Sequence, residues 1–477
     1  MLVKLPFLGS DFYGRGENMR CNFSIGISRT RVVAAAALTC LTSVASATTT
    51  LVGGGDTFPA FGYTGNTIVR DDSSYLPLVN SLFAAYANAG GNPTTYCPSG
   101  GGAAKKILAG YDYSRFQVNG DCLANRGWAA NGNLQGFGGI GLTQAHFAAV
   151  DAPLSSSEFS NYARGHGAGA QPVQLPTLVG AISIVFKKSG VTSMTLTEAQ
   201  ICGIFSGQIT SWSDGMLSGT VPSGTTGPIT VVYQQKGSGT SFSFLNHLSA
   251  VCPTNAVGTI VPATEFKTSQ DFSGVDILGR PTGASAYIAF YASSILAGSL
   301  GGGGGDSGVT AAVNNTLVDG LIGYTATADA VRAPTRFASV KNSHSNQIVN
   351  PSTGFGPTAV PVNLVYDQAI GDTVDIDGRP TLTALPTTSQ CIAVVNPSDY
   401  ADPSAGYPIL TVSYLLANAQ GNGPDTAAVR SLIYSPYNTA LRSSVKTIGV
   451  ITTGTARLTN PDLTDTTGLA KVNSCVN

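Results

Sequence analysis

Short apolar runs and longer amphipathic segments alternate along the chain. The apolar runs that predict β-strands are 50–52, 146–150, 179–186, 229–232 and 320–324. The segments whose apolar residues recur at helical spacing are 75–89, 242–250, 306–318 and 426–434. Because strands and helices that alternate in this way build layered folds, the sequence predicts an α/β protein.

Further signals mark where individual elements begin and end. The patterns Ser-x-x-Glu at 155–158 and Thr-x-x-Glu at 195–198 are capping boxes, so a helix is expected to follow each of them. Segment 407–417 predicts a strand followed by a helix. Segment 345–390 is rich in Pro, Thr and Asp and has no helix signals, which predicts an extended insertion.

Three predicted strand-to-helix turns are rich in glycine and hydroxyl side chains. They lie at 53–60, 97–107 and 237–241. Backbone N–H groups that converge at a helix start, with hydroxyl donors beside them, form a favourable site for an anion. Each turn taken alone is more typical of ordinary helix capping, in which Thr57 would cap the first helix. Asp151 adds a carboxylate at a strand end, which is also a common place for a turn or capping residue.

The first 47 residues have the features of a secretory signal peptide. A basic stretch precedes the apolar region 32–44, and Ala45-Ser46-Ala47 fits a cleavage site. Met19 stands where such a peptide begins, so we interpret 1–18 as an upstream start and expect the mature chain to begin after residue 47. The apolar region is too short to span a bilayer. The protein is therefore expected in the periplasm or outside the cell.

Charge and cysteine content narrow the function classes further. Without its first 47 residues the chain has 20 basic and 24 acidic residues, which argues against nucleic acid as a partner. The four histidines form no ligand pair at helical spacing, so no metal site and no cofactor are predicted. Six cysteines remain, and an even number in an exported chain predicts disulfides. Sequential pairing closes the shortest loops and is expected as Cys97–Cys122, Cys202–Cys252 and Cys391–Cys475.

Six motifs resemble, in order, those of the periplasmic phosphate-binding proteins that feed ABC transporters and of their exported DING relatives. The motifs are Gly-Asp-Thr-Phe-Pro-Ala at 55–60, Ser-Gly-Gly at 99–101, Asp-Ala-Pro-Leu at 151–154, Phe-Ser-Gly to Trp at 205–212, Gly-Ser-Gly-Thr-Ser at 237–241 and Asp-Ser-Gly-Val to Gly-Tyr at 306–324. Each motif is weak alone, but six in family order make the resemblance specific.

The resemblance implies a two-lobed type II periplasmic-binding-protein fold with hinge crossings. The first lobe would contain 48–178 and 325–477, and the second would contain 179–324. As a monomer, the protein would close around one inorganic phosphate or a similar oxyanion, without a cofactor, for an ABC transporter membrane component. The residues implied to bind the anion are Thr57, Phe58, Ser99, Asp151, Ser238, Gly239 and Thr240, with Gly100 and Lys236 as further candidates.

Three residues depart from the family pattern. Gln234 and Lys236 stand where the family has an arginine and an aspartate, and Asp56 replaces a small residue. Because these changes alter the charges at the anion site, two other functions stay open. One is a phosphatase of the kind attributed to DING-like proteins, although the sequence shows no pattern typical of a catalytic triad or a metal cluster. The other is a structural or adhesive surface protein that reuses the fold, which the insertion and the low charge favour.

Overall fold

The computed structural model describes residues 49–65, 77–110, 137, 145–234, 237–255, 266–272, 295–296, 305–315, 317–353, 359–445 and 454–477. The predicted signal peptide, Cys122, Lys236 and most of the glycine run at 301–305 lie outside these ranges. Within them, no helix is both long enough and apolar enough to cross a membrane.

Strands and helices alternate along much of the described chain. The strands are β1 (Leu51–Gly55), β2 (Thr94–Cys97), β3 (Phe147–Val150), β4 (Pro172–Lys187), β5 (Thr195–Thr197), β6 (Thr230–Tyr233), β7 (Ile295–Leu296), β8 (Leu321–Ala326), β9 (Ser339–Lys341), β10 (Ile348–Val349), β11 (Ala359–Pro361), β12 (Leu364–Tyr366), β13 (Gln368–Val374), β14 (Pro380–Ala384), β15 (Ala393–Val395), β16 (Leu410–Asn418) and β17 (Thr455–Thr459). The helices are α1 (Thr57–Thr64), α2 (Leu82–Asn88), α3 (Gly101–Leu108), α4 (Ser156–His166), α5 (Glu198–Phe205), α6 (Gly239–Asn255), α7 (Gly305–Asn314), α8 (Thr327–Arg332), α9 (Pro397–Ala401), α10 (Thr426–Tyr434), α11 (Thr439–Ser443) and α12 (Asp465–Cys475).

One mixed sheet organises the fold. Its main path runs β2-β1-β3-β16-β4-β8-β6-β7, with β17 beside β4 and β11 beside β17. β1 lies parallel to both β2 and β3, so the carboxyl ends of these strands meet at one edge. β4 connects the two ends of the path, because 172–181 pairs with β16 and 182–187 pairs with β8.

The strand predicted at 179–186 is the second half of the much longer β4. All residues of β4 except the last are buried, and strands buried on both faces do not show polar alternation. Its first half contains Gln174, whose side chain would be costly to bury without partners. Gln174 Oε1 accepts from Leu154 N at 2.7 Å, and its Nε2 donates to Ala393 O at 3.2 Å. These bonds explain why a polar residue is tolerated in the core of the sheet.

The helix predicted at 75–89 is shorter in the structure. α2 begins at Leu82, after Asn80 with a φ of 70°. Ser81 Oγ accepts a hydrogen bond from Ala84 N and caps the helix. Val79, an apolar residue within the predicted helix, is 82% exposed. The left-handed backbone at Asn80 and the cap at Ser81 prevent the helix from extending toward the N-terminus.

Other predicted boundaries are confirmed or corrected by local hydrogen bonding. The capping box at 155–158 is confirmed at the start of α4, and the helix predicted at 426–434 is confirmed as α10. The capping box predicted at 195–198 is wrong, because β5 occupies this position and the box is Thr197 with Gln200. The helix expected within 407–417 is also wrong, because β16 continues there and pairs with both β3 and β4.

The segment predicted to be extended and without helices has that character in its described part. The described part of 345–390 contains five strands and no helix, and β13 and β14 pair as an antiparallel hairpin. Ile370 N in β13 donates to Leu154 O at 2.9 Å, just before α4. Thr268 N donates to Gly378 O at 2.8 Å, in the turn of the hairpin. The hairpin therefore bridges the start of α4 and the segment that follows α6.

Two predicted disulfides are confirmed. Cys202–Cys252 joins α5 to α6, and Cys391–Cys475 ties the last residue of α12 to the chain just before β15. The pairing of Cys97 with Cys122 stays a prediction, since Cys122 lies outside the described residues.

We expect the Cys391–Cys475 disulfide to contribute strongly to stability. It closes a separation of 84 residues, and a cross-link of that span restricts the unfolded chain. The double change Cys391→Ser with Cys475→Ser should lower the free energy of unfolding by about 2–5 kcal/mol in urea titrations. Ser474→Ala, at an exposed neighbouring position, is the control. An unchanged unfolding midpoint in the double variant would contradict this expectation.

Candidate anion site

The second and third glycine-hydroxyl turns meet beside the end of β3. Gly102, in the second turn, donates its N–H to Gly237 O of the third turn at 3.1 Å. A Cβ on Gly239 would lie 2.4 Å from Asp151 Cβ, so the start of α6 lies directly against this aspartate. The fold thus brings together turns that are separated by more than 100 residues of sequence.

Asp56, in the first turn, accepts hydrogen bonds from the backbone around it. Its Oδ1 accepts from Gly101 N at 2.8 Å, and its Oδ2 accepts from Asp151 N at 2.8 Å. Gly239 N lies 3.5 Å from Oδ1. Gly101 and Gly239 are the first residues of α3 and α6, so the carboxylate faces two helix N-termini, where negative charge is favoured. A carboxylate of the chain itself lies where the sequence predicted a bound anion.

Asp56 is directed away from its own helix. It occupies the N-cap position of α1 with φ −67° and ψ 155°, yet its side chain makes no capping bond there. This corrects the expectation that Thr57 caps α1, because Thr57 is the first helical residue. A Cβ on Gly101 would lie 2.2 Å from Asp56 Oδ2, so the close approach of the carboxylate requires glycine at that position.

A second carboxylate, Asp306 in the first turn of α7, accepts hydrogen bonds from the threonine hydroxyls. Its Oδ2 accepts from Thr57 Oγ1 at 2.8 Å and from Thr240 Oγ1 at 2.9 Å. Its Oδ1 accepts from Gln234 Nε2 at 2.8 Å and from Ala326 N at 2.9 Å. Because a hydroxyl has a single hydrogen to donate, neither threonine can donate to a ligand while it bonds Asp306.

Gln234 links two parts of this network. Its amide nitrogen donates to Asp306, and its carbonyl oxygen accepts from Ser238 Oγ. Ser238 Oγ in turn accepts from Ser241 N at 3.1 Å and so caps α6. The hydroxyl of Ser238 therefore has a capping role in this structure, and the residue beside it is an uncharged amide rather than the arginine of the family pattern.

Asp151 is fully buried, and neither of its carboxyl oxygens has a hydrogen-bond partner among the described residues. Burial raises the pKa of this carboxyl well above its usual range, and the charges of Asp56 and Asp306 raise it further. The Ser413 hydroxyl lies close enough to oppose the rise, but its own hydrogen bond goes to Val150 O at 3.3 Å. A buried carboxyl in this state is costly unless it holds a proton or receives one from a ligand.

The pKa of Asp56 is shifted in the same direction. Burial raises it to about 6, and the charge of Asp306 adds to the rise. The N–H groups of Asp151, Gly101 and Gly239 oppose the shift because they stabilise the ionised carboxylate.

The remaining predicted residues have mixed roles. Phe58 is a core side chain whose ring lies against Gly180, so any contact with an anion would come from its backbone. Ser99 is 4% exposed, and its Oγ donates to Gly100 O at 3.4 Å. Gly100 has a φ of 78°, a conformation that favours glycine. Lys236 lies outside the described residues.

Sequence reasoning did not assign Asp306 to the site and treated Asp56 and Gln234 only as departures from a motif. A signal for Asp306 was present, since this residue follows a glycine run and begins a predicted helix, as in the three turns that were assigned. The bonds of Asp306 to Thr57 and Gln234 span 249 and 72 residues of sequence, and no local pattern reports contacts of that length.

Comparison with known proteins places the chain in a family. A family model described as a PBP superfamily domain matches residues 65–433, well over half of the sequence. The chain belongs to the PBP superfamily. Among curated PBP relatives, it is 29% identical over 313 residues to a phosphate-binding protein from an unknown prokaryotic organism, covering 64% of this chain and 75% of that one. It is 27% identical over 356 residues to alkaline phosphatase L of Pseudomonas aeruginosa, covering 73% and 80%.

Solved structures of two phosphate-binding proteins share the fold. A high affinity periplasmic phosphate-binding protein, PfluDING, aligns with a TM-score of 0.54 and 23% identity, over 89% of this chain and 92% of that one. The phosphate-binding protein from Stenotrophomonas maltophilia aligns with a TM-score of 0.50 and 25% identity, over 82% and 84%. These structural matches confirm the α/β fold. The family model and the curated relatives bear out the resemblance to which the sequence motifs pointed.

We expect the contact between Gly239 and Asp151 to be sensitive to a single methyl group. Gly239→Ala should move the start of α6 away from Asp151 and lower the free energy of unfolding by about 1–3 kcal/mol. Gly215→Ala is the matched control, because a Cβ there meets no atom within 4 Å. Urea unfolding of the two variants measures the difference. Equal stability of both variants would contradict the close packing of this glycine.

The raised pKa of Asp56 predicts how stability changes with pH. In the folded state the Asp56 carboxyl keeps its proton up to about pH 6, whereas in the unfolded chain it loses the proton near pH 4. The contribution of Asp56 to stability is therefore present at low pH and is lost as the pH rises from about 4 to about 6. The loss is on the order of 3 kcal/mol. Asp56→Asn should remove this part of the pH dependence. The test is the difference between parent and variant in urea unfolding at pH 4.5, 6 and 7.5, and a constant difference would refute it.

Proposed function

We propose that this chain is an exported solute-binding protein that binds inorganic phosphate between two lobes. The proposal depends on Asp151, a fully buried carboxyl without a described partner, placed where glycine-hydroxyl turns from distant parts of the chain meet. The PBP family and a curated relative named as a phosphate-binding protein support this choice of ligand.

The chemistry of Asp151 favours a ligand that brings its own proton. Phosphate carries an O–H at neutral pH, whereas sulfate does not. An O–H from the ligand would satisfy one oxygen of Asp151, and the unprotonated oxygens of the ligand would accept from the N–H groups at the helix starts. Sulfate brings no proton, so its oxygen would be repelled by Asp151 whenever that carboxyl is ionised.

We further propose that the lobes are 48–178 with 325–477 and 179–324, and that they close by a hinge motion. The division of β4 supports these boundaries. Its residues 172–181 pair with β16, and its residues 182–187 pair with β8, so the strand passes from one part of the sheet to the other close to the proposed crossing. The N–H of Gly102 bonded to Gly237 O then joins the two lobes beside the anion site.

A binding role accounts for the site better than a phosphatase role does. Some relatives are named alkaline phosphatase L, which keeps hydrolysis as the second candidate. Within the described ranges, however, no group of three His, Cys, Asp or Glu side chains is arranged to hold a metal ion. His247 is fully buried between Ala401 O, 2.7 Å from its Nδ1, and Glu198, and it is not part of the anion site. Absence of phosphate-ester hydrolysis alongside phosphate binding would separate the two roles.

Export and transport belong to the same proposal. The predicted signal peptide would direct the mature chain to the periplasm or the medium. A bound phosphate could then pass to the membrane component of an ABC transporter, or be scavenged.

Isothermal titration with phosphate and with sulfate tests the proposed function. Asp151→Asn should bind phosphate roughly ten- to a hundredfold more weakly, because a charge-assisted hydrogen bond contributes about 1.5–3 kcal/mol. The variant should also discriminate less against sulfate, because an amide can donate as well as accept. Asp377→Asn, which removes the same charge from an exposed position, should bind like the parent. No measurable phosphate binding by the folded parent would overturn the proposal.

A further inference from the structure

Carboxylates of the chain already accept hydrogen bonds from several donors around the candidate anion site. The hydroxyls of Thr57 and Thr240 donate to Asp306, and the Gly101 and Asp151 N–H groups donate to Asp56.

We propose that the Asp56 carboxylate is an internal competitor for the anion site, which phosphate has to displace from the N–H groups of Gly101 and Asp151. The inference rests on the proposed function and names the residue of this chain that limits its affinity. Asp56 would act by occupying the donors, not by contacting the ligand.

The geometry supports competition rather than shared binding. A backbone N–H makes one strong, linear hydrogen bond. Gly101 N and Asp151 N each donate that bond to Asp56, at 2.8 Å. Gly101 N belongs to the second glycine-hydroxyl turn, and Asp151 N belongs to the residue at the end of β3 whose carboxyl the resemblance assigns to the anion. Asp56 is only 5% exposed, so water cannot easily take its place as the acceptor.

The charges act in the same direction as the geometry. The charge of Asp306 raises the pKa of Asp56, and the charge of Asp56 raises the pKa of Asp151. No lysine or arginine among the described residues forms an ion pair with any of the three carboxyls. A phosphate that entered while Asp56 stayed ionised would face the negative charge of Asp56 in addition to that of Asp306. Removing the Asp56 charge lowers this repulsion and frees the two N–H groups at the same time.

The test compares phosphate binding by the full mature chain and by Asp56→Ala, using isothermal titration at one pH. We expect the variant to bind roughly ten- to a hundredfold more tightly, because it regains hydrogen bonds from two free N–H groups to a charged ligand. Asp377→Asn is the control for loss of one negative charge at an exposed position and should leave affinity unchanged. Circular dichroism establishes that each variant is folded.

Asp56→Asn keeps the inference testable if the alanine variant does not fold. The amide retains the shape of the side chain but has no charge and only one acceptor oxygen, so phosphate affinity should rise in the same direction and by less. Tighter binding by either folded variant supports the competition.

The two proposals fail in different ways. If the parent binds phosphate and neither folded variant binds it more tightly, Asp56 is not a competitor, while the proposed function stands. If phosphate binds to neither the folded parent nor the variants, both proposals are overturned. If only the variants bind, the competition is supported and phosphate is not the ligand of the natural chain.

Discussion

Backbone N–H groups at a helix start need an acceptor, and at the centre of this protein the acceptors are carboxylates of the chain. Asp56 accepts from the first residue of α3 and from Asp151 at the end of β3, so that one side chain joins β1, β3 and α3. The glycines around it follow from this arrangement. Gly101 and Gly239 lack side chains where a Cβ would collide with Asp56 or Asp151.

The same arrangement concentrates negative charge in a buried place. Asp56, Asp151 and Asp329 all have a raised pKa, and burial is the largest cause for each of them. Burying a carboxylate costs free energy. Among the described residues, backbone N–H groups, threonine hydroxyls and an amide offset this cost at Asp56 and Asp306 through their dipoles, without a countercharge. Dipoles of this kind hold an anion without requiring a matching cation, which is why a site that stabilises its own carboxylates is also chemically suited to phosphate.

The fold class and the positions of the glycine-hydroxyl turns could be predicted from the sequence, but the hydrogen bonds between the turns could not. Apolar runs located β3, β6 and β8, because strands buried in a sheet leave a clear local pattern. The same reasoning failed at α2, where the φ of Asn80 set the boundary, and at β16, where two neighbouring strands imposed an extended conformation. The hydrogen-bond partners of Asp306 could not be predicted from sequence, since they are brought to it only when α1, β6 and α7 pack together.

The three departures from the family pattern redistribute charge without changing its sum. Gln234 in place of arginine removes one positive charge, Asp56 in place of a small residue adds one negative charge, and Lys236 in place of aspartate gains two positive charges. What changes is where the charges lie and how they bind. A planar guanidinium that can hold two ligand oxygens is replaced by an amide that bonds Ser238 and Asp306. The positive charge belongs instead to a lysine ammonium, which is a point charge rather than a planar fork. Under the proposed function, we expect selection among anions to depend on the backbone N–H groups and on the two carboxyls, Asp56 and Asp151, that border them.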